Sequence, residues 1–381
     1  MLKTHCLPAA VVFLFGVMRI LAEDLAPPEW SYEPKWLQPF WIGDTMQGES
    51  ILFIKSNDGT TARGELLFPP LKILSVRNSN GDVTYEEGRD YLWKAGSRRI
   101  DIPAGSRIVT KTPADLRRPA KSQKYELTHR DGNGEIFFGS LLEYHDMQTC
   151  VTYTHEPDLW KAMPPKFDAE RLPRTLEKLR TKQPVTMLLL GDSISAGCNA
   201  SGWAKGTPYQ PPFAGLVEKH LAATFGGDVS VKNLSIGGKS TEWAVTVTDD
   251  VIAAKPDVVL LAFGMNDSAG RPKAEYKNYI EQTINKIREK RPETEFILIA
   301  SMLGNKDWVR LDQGLFPQYR DALAELCGPG IALADLTSIW TELLKSKQDW
   351  DLTGNGVNHP NDFGHRVYAQ VITSLLLPRE E

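Results

Sequence analysis

The chain has 381 residues, 41% of them hydrophobic and 24% charged, with 44 Lys and Arg against 48 Asp and Glu for a formal net charge of -4. That balance leaves no electrostatic footprint for nucleic acid or an anionic membrane surface. No collagen period, heptad repeat or low-complexity tract is present, which excludes fibrous and largely disordered classes. At roughly 100–200 residues per domain, the length suggests two domains, each burying its own core.

Residues 1–22 read as a cleaved secretory signal peptide. Lys3 opens a short basic region, Leu7 to Met18 form an apolar run, and Ile20-Leu21-Ala22 ends in a small residue. The run is shorter than the ~20 residues a spanning helix needs. Arg19 is atypical beside a cleavage point, so an uncleaved anchor is the alternative. The expected location is secreted or periplasmic, with no integral membrane partner. Beyond the leader remain Cys150, Cys198 and Cys327. An odd, widely spaced set is neither a disulfide framework nor a zinc site. Buried free thiols and a single bridge both remain open.

Residues 23–165 read as a β-sandwich accessory domain of jelly-roll type. Ser50–Lys55, Gly64–Phe68, Leu71–Val76 and Gly134–Gly139 are short apolar or alternating runs, separated by turn clusters such as Asn78-Ser-Asn-Gly-Asp82. Aromatic residues that can pack between sheets concentrate here, among them Trp30, Trp36, Trp41, Phe53, Tyr91, Trp93 and Phe137. Residues 166–184 form a connector, with Leu172, Leu176 and Leu179 predicting a helix from Asp168 to Lys182.

From 185 to 381 the pattern changes to α/β. Val185–Leu190, Val258–Phe263 and Phe296–Ala300 are continuous apolar strands, and Val229–Val231 is a shorter one. An amphipathic helix carrying Tyr276, Ile280, Thr283, Ile284 and Ile287 precedes the strand at 296. Buried strands alternating with helices predict a parallel sheet covered on both faces. Ligands of such sheets sit beyond the carboxyl ends of the strands.

Four segments at or near those ends carry polar chemistry. Gly191-Asp-Ser193 places a hydroxyl on a strand-to-helix turn, where it is either an exposed nucleophile or a helix N-cap. Asn233-Leu-Ser-Ile-Gly-Gly238 offers paired glycines, fit for a ligand-facing N–H or for a plain tight turn. Phe263-Gly-Met-Asn266-Asp267 ends a strand with an amide that can donate to an oxyanion or simply form a turn. Asn355-Gly-Val-Asn-His359-Pro-Asn-Asp362-Phe-Gly-His365 puts a histidine on a loop before the last helix, as a base for a serine would be. His359, Asp362 and His365 could instead form a metal cluster, but Pro360 disturbs their facing and no second ligand group accompanies them. His365 is expected to support the loop from the first turn of the last helix.

The four blocks, in this order, resemble those of the SGNH hydrolases, the GDSL-type lipases and esterases. The resemblance covers about residues 185–378. It implies a three-layer, flavodoxin-like parallel-sheet domain with Ser193 as nucleophile and His359 as base. The N–H groups of Ser193 and Gly238, with the Asn266 side chain, would form the oxyanion hole. No metal or organic cofactor is implied. One departure stands out. The family's usual acid lies three residues before the histidine, where this chain has Gly356. The imidazole would then be held by a backbone carbonyl of 354–358, by Asn355, or by a displaced Asp362 or Asp351. A β-sandwich ahead of such a domain is similar to several carbohydrate O-acetylesterases, which implies an O-acetylated glycan as substrate. A lipid esterase or thioesterase is the enzymatic alternative, and a catalytically impaired carbohydrate-binding protein the non-enzymatic one. The sequons at Asn199, Asn233 and Asn266 are expected to carry no glycan.

Overall fold

The structure, a computed structural model, describes residues 30–378 apart from residue 164. The expected signal peptide lies outside the described residues. No described helix is long and apolar enough to cross a membrane.

The C-terminal half contains five parallel strands: β1 (Val185–Gly191), β2 (Val229–Asn233), β3 (Val258–Phe263), β4 (Glu295–Ala300) and β5 (Ile331–Asp335), in the spatial order 2-1-3-4-5. This is the SGNH hydrolase fold, with helices on both faces of the sheet. The strand period of two divides the apolar side chains between the layers. Met187 and Leu189 join one core with α1 (Pro173–Arg180), α2 (Phe213–Phe225), and the later helices α5 (Leu336–Leu343) and α6 (Asp362–Thr373). Leu188 and Leu190 join the other, against α3 (Lys273–Lys290) and α4 (Leu315–Leu326). The strand order reverses between β1 and β3, which opens a crevice at their carboxyl ends.

The N-terminal half is strand-rich. An antiparallel sheet joins Thr45–Ile51, Thr149–His155 and Pro70–Asn78, and a five-stranded mixed sheet contains Phe53–Lys55 and Ala62–Glu65. The run at Ser50–Lys55 divides between these sheets. Its pivot is Leu52, whose N–H donates to Asp351 Oδ1 (2.8 Å) instead of to a neighbouring strand. The connector helix begins only at Pro173, whose missing N–H suits the first helical position.

Beside clusters of their own, the two regions share one apolar core, which the length alone does not announce. Ile51, Phe53, Val76, Val151 and Tyr153 belong to the same apolar cluster as Val367, Tyr368 and Val371 of α6. Polar contacts reinforce the seam. Asn361 Nδ2 reaches Ser50 Oγ and Gln148 Oε1 at 3.0 Å, and Arg366 Nη2 donates to the Gly48 carbonyl at 2.6 Å. The last segment of the chain is therefore pressed against the strand-rich region. Cys150, Cys198 and Cys327 are free thiols.

Candidate active site

Ser193 follows β1 on a run of turns rather than the expected strand-to-helix turn, and α2 begins only at Phe213. The turns are tied by Ala196 N–H to Asp192 O (2.9 Å), Cys198 N–H to Ser193 O (3.1 Å) and Ile194 N–H to Asp192 Oδ1 (2.9 Å). Burial pushes the Asp192 carboxyl up to about 7, with the nearby Asp267 charge adding to the shift. Gly191 cannot be replaced, because a Cβ there would overlap Ser195 Oγ and come within 2.5 Å of the Ala262 carbonyl on β3.

The second and third blocks close around this turn. Asn233 Nδ2 donates to Ser195 O (2.7 Å), and the Ile236 N–H donates to Gly191 O (3.1 Å). These bonds bring Gly237 and Gly238 beside Ser193. Gly238 has φ +78°, which the turn requires. Asn266, after β3, donates from Nδ2 to Lys239 O (2.9 Å), and Asp267 accepts from Thr241 Oγ1 (2.6 Å). Asn266 and Gly238 both line the cleft that contains Ser193.

His359 Nε2 stands 2.9 Å from Ser193 Oγ. Its Nδ1 faces Asn199 Oδ1 at 2.8 Å. None of the expected partners holds that nitrogen. The Asp351 carboxylate accepts from the N–H groups of Leu52 (2.8 Å) and Gln348 (2.9 Å), and Asp362 Oδ1 accepts from the Ser201 N–H (2.8 Å). Asn355 does shape the loop. Its Oδ1 accepts the N–H groups of Val357, Asn358 and His359 at 2.9–3.2 Å, but it does not contact the imidazole through Nδ1. His365 lies buried in α6, its Nδ1 accepting the Phe213 N–H (3.3 Å). His359, Asp362 and His365 thus have separate partners, and among the described residues no three metal-ligating side chains converge.

The reason for Gly356 lies in the strand-rich region. Gly356 has φ +77°, and a Cβ there would overlap the hydroxyl of buried Tyr144. The segment before Tyr144 also braces the loop, with Gly139 N–H donating to Asn355 O at 3.1 Å. We predict that restoring an acid by Gly356→Asp destabilises the protein by about 2–4 kcal/mol, from left-handed strain and overpacking. Thermal unfolding checks this. Combined with Tyr144→Ala, the loss should be smaller than the sum of the two single losses.

Burial lowers the His359 pKa from 6.5 to about 4. A depressed pKa keeps the imidazole neutral, hence able to accept a proton, as pH falls below 6.5. The acid limb of kcat/KM for ester hydrolysis is therefore expected between pH 4 and 5, with full rate at pH 6. A limb at 6.5 would mean that solvent in the cleft offsets the desolvation of the half-buried ring.

Ser193 and His359 line a cleft of about 810 Å³. The cleft is also lined by Tyr125, Glu126 and Phe138 of the strand-rich region and by Trp308 and Arg310 of the loop after β4. Arg130 clasps that loop, donating to the carbonyls of Lys306 (3.0 Å), Trp308 (3.2 Å) and Leu311 (3.0 Å). The cleft wall and Asn199 escape sequence reasoning. Asn199 shows there only as a sequon, six residues past the serine.

A model described as the GDSL-like lipase/acylhydrolase family matches residues 189–367. Comparison with curated protein sequences gives no match. Among solved structures, a two-domain esterase (CEX) active on acetylated mannans is 20% identical with a TM-score of 0.46, over 56% of this chain and 54% of that one. The chain thus spans about half the length of that protein. The lipase Lip_vut3 from a goat rumen metagenome is 16% identical with a TM-score of 0.42, over 51% of this chain and 99% of its own. A lipase/acylhydrolase from Enterococcus faecalis is 21% identical with a TM-score of 0.39, over 49% and 93%. The strand order, the serine and histidine in contact beyond the strand ends, and the match together show that residues 189–367 carry a GDSL-like lipase/acylhydrolase domain, the domain of a serine ester hydrolase.

Proposed function

We propose that the protein is a serine carboxylic-ester hydrolase acting on O-acetylated carbohydrate, with Ser193 as nucleophile and His359 as general base. The observation that carries this reading is the 2.9 Å contact between Nε2 and Oγ, set in the cleft at the switch point of the sheet. Ser193 Oγ attacks the ester carbonyl carbon as its proton passes to His359 Nε2. The N–H groups of Ser193 and Gly238 and the amide of Asn266 receive the developing oxyanion. Asn266 uses one N–H on Lys239 O, and a primary amide retains a second for the cleft. Collapse of the tetrahedral intermediate expels the alcohol, which takes the proton from Nε2. Water, deprotonated by His359, then releases the acid and regenerates Ser193.

The cleft supports a carbohydrate substrate. Sugar C–H faces pack on aromatic rings, here Tyr125, Phe138 and Trp308, while hydroxyls need polar groups such as Glu126, Arg310 and Asn358. Export directed by residues 1–22 would bring the enzyme to extracellular glycans. The test has two arms. A phosphonate ester should inactivate the purified protein by adding to the Ser193 peptide, as read by mass spectrometry. Label on another residue would overturn the nucleophile. Acetate release from O-acetylated oligosaccharides should exceed hydrolysis of long-chain p-nitrophenyl esters in kcat/KM. The reverse order would favour a lipid esterase.

A further inference from the structure

We propose that Asn199 is the positioning residue of His359, filling the place left by the absent acid, and that the strand-rich region aims it through the Leu141 carbonyl. This rests on the reading of Ser193 and His359 as nucleophile and base.

The amide orientation follows from its surroundings. Asn199 Nδ2 donates to Leu141 O (3.0 Å) and Gly354 O (3.1 Å), so both of its protons are committed to acceptors. Only Oδ1 is left to face the ring. An oxygen acceptor 2.8 Å from Nδ1 requires the proton on Nδ1 and leaves the Nε2 lone pair facing Ser193 Oγ. That is the tautomer a base needs.

The backbone is adapted to this task. Asn199 is buried with φ +67°, a conformation Asn tolerates better than other side chains with a Cβ. Leu141, which supplies one anchor, is also left-handed at φ +47° although its side chain is largely exposed. Such strain on an exposed leucine has a use if its carbonyl must point at Asn199. The segment 139–144 therefore acts twice: Tyr144 excludes a side chain at 356, and Leu141 orients the amide that stands in for it. A carboxamide supports imidazolium less than a carboxylate does, because it carries no charge.

The first measurement uses wild-type protein. In ¹⁵N-histidine-labelled enzyme at pH 7, the His359 resonances, assigned by their absence in His359→Ala, should show a neutral ring protonated at Nδ1. A ring protonated at Nε2 overturns the proposal. Asn199→Ala should lower kcat by about 10²–10⁴-fold, with KM changed less than threefold, and mix the tautomers. Asn199→Asp keeps an acceptor at the same place and adds charge. It should turn over faster than the alanine variant and move the acid limb of kcat/KM up by about one to three pH units. A purely structural asparagine would leave that limb unmoved, and an unmoved limb refutes the positioning role even if Asn199→Ala fails to fold. Phosphonate labelling separates the two readings. If Ser193 is labelled but the tautomer or limb results fail, Asn199 alone is misassigned. If Ser193 is not labelled, the nucleophile reading itself fails.

Discussion

Ser193→Ala is expected to reduce kcat for ester hydrolysis by at least ~10⁴-fold, the scale seen when a nucleophile is removed from a serine hydrolase. The turn should survive the change. It is held by backbone bonds, by Asp192 to the Ile194 N–H, and by Asn233 to Ser195 O, none of which uses the Ser193 hydroxyl. That hydroxyl bonds to His359. Unfolding temperature should therefore remain within a degree or two of wild type, an effect on the order of 1 kcal/mol or less. Because the two side chains act as a unit, the double variant with His359→Ala should be little slower than either single one. Near wild-type turnover by Ser193→Ala would move the nucleophile elsewhere. Ser195 is a poor substitute, since its side chain is fully buried beneath the turn at Gly191.

The largest stability effect is expected at the seam between the regions. Lys347 and Glu49 are both fully buried, their charged groups 2.5 Å apart. Lys347 Nζ also donates to Glu65 O (2.8 Å), while Glu49 accepts the Leu67 N–H (2.9 Å) and the Tyr153 hydroxyl (2.5 Å). Each charge thus has a counter-charge and hydrogen bonds. Removing only one leaves the other buried and uncompensated, which costs about 3–5 kcal/mol. Lys347→Met should lower stability by that amount in denaturant unfolding. Adding Glu49→Gln should recover much of the loss, because it removes the stranded charge. A loss below about 1 kcal/mol for Lys347→Met would indicate that water reaches the pair. The seam bears on the site as well. Asp351, 3.9 Å from Lys347, receives the Leu52 N–H, and Asn361, two residues past His359, bonds across the seam to Ser50 and Gln148.

Much of the catalytic half is legible in the sequence because it depends on local pattern. Val185–Leu190, Val258–Phe263 and Phe296–Ala300 announce buried parallel strands by unbroken apolar runs, and the helix from Lys273 carries its 3.6-residue stripe. The segments that hold Ser193, Gly238, Asn266 and His359 stand out at or near the strand ends, where a parallel sheet gathers polar residues, and the roles proposed for them come from the resemblance to the SGNH hydrolases. The strand Ile331–Asp335 and the helices at Phe213 and Leu315 are less plain. Their apolar residues are short or mixed runs whose burial comes from neighbours.

What the tertiary structure alone decided is the partner of the histidine and the role of the N-terminal region. Asp351 and Asp362 are the natural candidates by charge and proximity along the chain, but burial commits Asp351 to the Leu52 N–H and Asp362 to the Ser201 N–H. Asn199 lies 160 positions from His359 and reaches it because α6 and the loop before it fold back across the turns after β1. The absence of an acid at 356 is likewise not a local event. A tyrosine 212 positions earlier occupies the space. Composition and periodicity report what each segment does with its own apolar face. They carry no information on which distant hydroxyl, carbonyl or ring will fill the last few ångströms beside a catalytic side chain, because that is set by how whole layers pack.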